Sequence, residues 1–146
     1  MRHIKSMIML AMVALLFAGC ESWFEHPPRT FEGPSQVEFK PLVRTVSQAA
    51  GTVNINVQLI GPHSSTDTPV NFSVTGASTA AAGTHYNLAA TSVVIPANSS
   101  FGTIAVQVVD GSVPAGEIRT VVIELADTGD VLAAENYKTF TLRIAG

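Results

Sequence analysis

Apolar and polar residues alternate one by one in seven separate stretches, and this period of two restricts the fold more than any other feature of the chain. Val53, Ile55, Val57 and Leu59 alternate with Thr52, Asn54, Asn56 and Gln58, the longest run of the kind. Val37 and Phe39 open the series. Val70, Phe72 and Val74 continue it, followed by Val93 and Ile95, and then by Ile104, Val106 and Val108. Val121, Ile123 and Leu125, and finally Phe140, Leu142 and Ile144, complete it. Successive side chains of an extended strand point to opposite faces, so each run predicts a strand with one buried and one solvated side. Turn residues separate the runs: Gly61-Pro62, Pro96-Ala97-Asn98, Asp110-Gly111, Pro114-Ala115-Gly116 and Thr128-Gly129-Asp130. No stretch after residue 20 keeps a helical period; Ala77 to Ala82, between Gly76 and Gly83, forms either a helical turn or a loop. About seven short strands in roughly 110 residues predict an all-β, two-sheet antiparallel sandwich. A domain of this size buries roughly two thirds of its unfolded surface and needs no disulfide to be stable.

The amino terminus has a different character. Arg2, His3 and Lys5 precede Met7–Gly19, thirteen residues without a charge. A helix needs about 20 apolar residues to span a bilayer, so the run matches the core of a secretory signal peptide instead. It ends in Leu16-Phe17-Ala18-Gly19-Cys20, which resembles the lipobox of bacterial lipoproteins, with Phe17 where leucine is commonest. Small residues at 18 and 19 let the chain lie in a peptidase cleft, and the Cys20 thiol takes the lipid. Cys20 is the only cysteine, so it has no intrachain disulfide partner. The expected organisation is a signal peptide removed over 1–19, a lipid-anchored tether over 20–35 and a sandwich domain over 36–146. In the tether, Pro27, Pro28 and Pro34 favour extended chain that reaches roughly 40 Å. Trp23 and Phe24 suit the lipid interface, or Phe31 docks on the domain.

After cleavage, six Lys/Arg face eleven Asp/Glu, a net charge of −5. Nucleic-acid binding rewards the opposite balance. Electrostatic docking on anionic lipid is disfavoured too, so attachment falls to acyl chains such as palmitate, each buried CH₂ contributing about 0.8 kcal/mol. The implied location is the bacterial cell envelope, on the periplasmic or surface face of the outer membrane.

From Val37 to Ile144 the order of signals resembles a Calx-beta domain, an Ig-like β-sandwich. Thr45-Val46-Ser47-Gln48 closes the opening strands, and Ala50-Gly51-Thr52 leads into the strongest one. Gly83-Thr84-His85-Tyr86 is similar to the family's G-T-D-Y turn, and Ile95-Pro96-Ala97-Asn98 to its strand followed by P-A-G. Val109-Asp110-Gly111 stands where the family has an Asp pair, and Tyr137 to Ile144 forms the last strand. The resemblance implies that Tyr86 and Tyr137 are packed and that calcium, where such domains bind it, is held by acidic groups at one end. Calcium takes 6–8 oxygen ligands. Here Gln48, His85 and Gly111 stand at places that are acidic in the family, and Ala115 falls near another. Asp110 remains as a weak candidate ligand, with Glu117 nearby in sequence. The expectation is no tight metal site and no cofactor.

No catalytic constellation is legible. A nucleophilic serine on a G-x-S-x-G turn is absent, since Asn98-Ser99-Ser100-Phe101-Gly102 lacks the first glycine and reads as a hairpin loop. His26, His63 and His85 are scattered, without H-x-H or H-E-x-x-H spacing. The chain is therefore expected to be no enzyme. One reading is a lipid-anchored envelope module for binding or protein interaction, with an envelope protein or glycan as partner. The other is a ligand-free structural spacer or assembly subunit. Binding is expected to depend on loops, with Phe101 exposed after its hairpin.

Overall fold

The computed structural model describes residues 33–146. The signal peptide, Cys20 and the tether residues Trp23, Phe24, His26 and Phe31 lie outside the described residues. The alternating runs become strands, and two curled five-stranded sheets face one another. The first sheet has the order β5-β7-β3-β1-β9, formed by β1 (Gln36–Phe39), β3 (Thr52–Ile60), β5 (Tyr86–Leu88), β7 (Phe101–Val108) and β9 (Leu132–Ala133). The second has the order β2-β10-β8-β4-β6, formed by β2 (Val43–Ser47), β4 (Thr68–Val74), β6 (Ser92–Ile95), β8 (Ile118–Leu125) and β10 (Thr139–Ala145).

All seven expected strands are present; the other three, β2, β5 and β9, are short edge strands, and β2 and β9 hold no fully buried residue. Two of these edge strands pair in parallel, β9 with β1 and β2 with β10, while the long central ladders are antiparallel. The parallel pairs arise because the first strand divides. After Phe39 the chain crosses at the cis Lys40–Pro41 bond and continues as β2 on the opposite sheet. The segment Ala77–Ala82 is a loop. Ser78 Oγ accepts from the Val122 N–H at 2.9 Å, while the Thr79 and Ala80 N–H groups donate to the Thr120 carbonyl.

Residues of both inner faces form one apolar core. Val37, Phe39, Val57, Val70, Val106, Val121, Ile123, Leu142 and Ile144 are fully buried, and no polar residue among those described is. Phe39 from the first sheet meets Phe140 from the second, ring centroids 5.4 Å apart and tilted by 47°, a favourable aromatic geometry. Between β6 and β7 the two sheets approach so closely that a side chain is excluded. A Cβ on Gly102 would lie 2.9 Å from the Val94 carbonyl oxygen and 2.9 Å from Val93 Cγ2.

Candidate functional site

Two open grooves of ligand size lie on the sandwich, and their chemistry differs. One, of about 510 Å³, is lined by Gln36, Ser73, Glu124, Asp127, Glu135 and Lys138 among others. Its charged groups are already engaged. Lys138 Nζ bridges Glu135 at 3.1 Å and Glu124 at 3.3 Å, and Asp127 Oδ1 accepts from the Ala133 N–H at 2.8 Å. Hydrogen bonding to Glu135, then to Glu124, raises the Lys138 ammonium above its usual value of 10.5.

The second groove, of about 550 Å³, lies on the outer face of the first sheet and has no charged lining residue. Its polar row follows from strand register. Thr52 on β3 is directly opposite Gln107 on β7, and Gln107 is directly opposite Asn87 on β5. Cross-strand partners share a face with Cα atoms about 4.5–5.5 Å apart, so one hydroxyl and two amides stand abreast over three strands. All three are exposed. Ala105, two residues before Gln107, forms the floor, and the Ala82–Gly83 turn forms a wall. That turn is held by the Gly83 N–H donating to the Tyr86 carbonyl and by the His85 N–H donating to the Ala81 carbonyl. The His85 ring completes it, Nδ1 accepting from the Ala81 N–H at 2.9 Å.

His85 is thus engaged with backbone, as are Gln48 and Asp110. Gln48 Oε1 accepts from the Val113 N–H at 2.8 Å, tying the 3-10 turn Gln48–Ala50 to the loop before β8. Asp110 Oδ1 accepts from the Gly111 N–H at 2.9 Å, an ordinary turn bond. Glu117 is paired with Arg119 at 2.6 Å. Among the described residues no three His, Cys, Asp or Glu gather closely enough to hold a metal ion. These donors do not fit calcium, which needs several carboxylate oxygens at once.

Tertiary folding does bring His63 and Ser100 together, His63 Nε2 standing 2.6 Å from Ser100 Oγ. They are 37 residues apart, so no local motif announced the pair. A serine nucleophile needs its histidine oriented by a third group and a cleft for the substrate. The neighbouring carboxylate, Asp67, accepts instead from the Ala97 N–H at 2.9 Å. Neither His63 nor Ser100 lines either groove. Their bond links the β3–β4 and β6–β7 loops. Of the aromatic residues, Tyr86 is buried and Phe101 is exposed, as expected. Tyr137, expected to be packed, is 49% exposed: its backbone carries its structural role, the carbonyl accepting from the Phe39 N–H.

No family model and no curated protein matches this chain. Solved structures do. The apo-form Calx CBD1 domain superposes with a TM-score of 0.65 at 23% identity, over 77% of this chain and 97% of that one. The domain has a Calx-beta-like fold. The calcium binding domain CBD12 of CALX1.1 gives a TM-score of 0.64 at 24% identity, over 75% of this chain and 43% of that one. A proposed carbohydrate-binding protein from Bacteroides ovatus gives 0.57 at 12% identity, over 75% of this chain and 36% of that one. At these identities the likeness is one of fold. The Calx-beta-like sandwich here carries its own side chains at the loop end, with Gln48 and His85 holding backbone N–H groups.

Proposed function

We propose that this chain is a lipid-anchored binding module of the bacterial cell envelope, without catalytic activity, carried on the outer membrane through acylated Cys20. The observation that carries the binding half is the open, uncharged groove over β3, β7 and β5, whose exposed Thr52, Gln107 and Asn87 side chains stand in one row. A groove of 300–1,000 Å³ with a few polar groups over an apolar floor has the dimensions of a ligand site. The anchor half is supported by the basic start, the short apolar run and the lone Cys20 after Ala18-Gly19. The non-catalytic half is supported by the exposed Ser100–His63 pair, to which no carboxylate among the described residues is bonded. A proposed carbohydrate-binding protein from Bacteroides ovatus contains a domain of similar fold, which is compatible with the reading.

Two measurements test it. In detergent phase partitioning the wild-type protein should enter the detergent phase and Cys20→Ser should remain in water; if both remain in water, the anchor is refuted. In affinity capture from native envelope, the whole lipoprotein should retain a saturable partner. Retention of nothing, protein or glycan, would favour the ligand-free spacer.

A further inference from the structure

We infer that the groove over β3, β7 and β5 binds the uncharged sugar units of an oligosaccharide, an inference that rests on the binding-module reading and names its ligand. The case begins with charge. The described residues include thirteen charged side chains, yet none lines this groove, whereas the other groove of similar size holds three carboxylates and a lysine. An anionic ligand finds no cation here and a cationic one finds no carboxylate. A neutral ligand forgoes no ion pair by entering, and its costs are those of desolvation and ordering alone.

Hydrogen-bond inventory narrows the ligand further. The Gln107 and Asn87 side chains each offer two N–H donors and a carbonyl acceptor, and the Thr52 hydroxyl serves both ways. A sugar hydroxyl is likewise donor and acceptor, so neighbouring hydroxyls on one ring pair with neighbouring amides. Spacing agrees: the three side chains stand abreast at the strand interval of about 5 Å. Ala105, two residues along β7 on the same face, has only a methyl group, which leaves room beside the row for a pyranose C–H face. An extended peptide would instead seek unpaired backbone groups at a sheet edge. Here the edge strand is β5, whose outward side is partly taken by the Ala82↔Tyr86 bridge, the Gly83 N–H donating to the Tyr86 carbonyl, while the row of Thr52, Gln107 and Asn87 lies on the sheet face.

His85 acts here as a positioning residue. Its ring accepts from the Ala81 N–H, and its own N–H donates to the Ala81 carbonyl, so both hold the turn that forms the groove wall.

The test uses the full lipoprotein in a detergent without a sugar headgroup. It is probed with an array of neutral gluco-, manno-, galacto- and xylo-oligosaccharides, with sialylated and uronic-acid glycans as charged controls. Hits are quantified by calorimetry. The expected result is saturable binding confined to neutral glycans. Asn87→Ala and Gln107→Ala should each weaken it about tenfold, the scale of one or two lost hydrogen bonds. Asn56→Ala, on the same sheet face but outside the groove, should leave affinity unchanged, and circular dichroism should show all variants folded. Unchanged affinity in the Asn87→Ala/Gln107→Ala double variant, or binding of charged glycans alone, overturns the inference. A blank array at millimolar glycan with a saturable protein partner from envelope capture overturns the glycan and leaves the module; if both are blank, both fall.

Discussion

Ile55→Ala tests the sandwich where its in/out assignment is sharpest. Ile55 lies in the middle of β3, is 3% exposed and faces the second sheet, with β7 directly beside it through the Ile55↔Ile104 pair. The substitution removes three carbons. At about 0.8 kcal/mol for each, lost transfer energy comes to roughly 2.4 kcal/mol. A residual cavity of about 80 Å³, at about 24 cal/mol per Å³, adds roughly 2 kcal/mol if nothing relaxes. Relaxation lowers the total, so the expected loss is about 3–4 kcal/mol. For a domain near 110 residues this lowers the melting temperature by roughly 10–20 °C. Asn54 is the matched control on the opposite face. Its side chain is exposed, and the bond it supports, Arg44 Nη1 to the Asn54 carbonyl at 3.1 Å, uses backbone and survives Asn54→Ala. That variant should change stability by no more than about 0.5 kcal/mol. Urea denaturation followed by far-ultraviolet circular dichroism, on the chain lacking residues 1–20, measures both. Equal losses, or a larger loss for Asn54→Ala, would refute the assignment of faces; a changed denaturant slope would signal that more than local packing was altered.

Gly102→Ala drives a methyl group against the Val94 carbonyl where β6 meets β7, and should cost about 1–3 kcal/mol in the same denaturation assay; a neutral result would show that the sheets can part there. Calcium at millimolar concentration should barely move the melting temperature, because Asp110 and Glu117 supply too little carboxylate; a micromolar calorimetric site abolished by Asp110→Ala would contradict this. The Lys138 ammonium has its pKa raised by Glu135 and Glu124, so its contribution to stability is fully present below pH 10.5 and is lost as pH rises through the folded-state value. Lys138→Met should therefore flatten the alkaline limb of a stability–pH profile, and an unaltered limb would show the bridges to be energetically silent.

Fold class, strand positions and buried faces were legible in the sequence because a half-buried strand leaves a period of two, and Val53 to Leu59 records it residue by residue. Edge strands leave no such trace. Every residue of β2 is exposed or partly so, and β9 has two residues, so their place depends on where β10 and β1 present an open edge. The turn residues at Gly83 and Gly111 were readable for the same local reason, since positive φ favours glycine. Partnership across the chain was not readable. Gln48 and Val113 are 65 residues apart and His63 and Ser100 are 37 apart, and only the completed sandwich brings each pair together. Thr52, Gln107 and Asn87 each look like an unremarkable polar position on an alternating strand. Strand register alone sets them in one row, because a shift of one residue in either pairing would turn a core side chain into the groove.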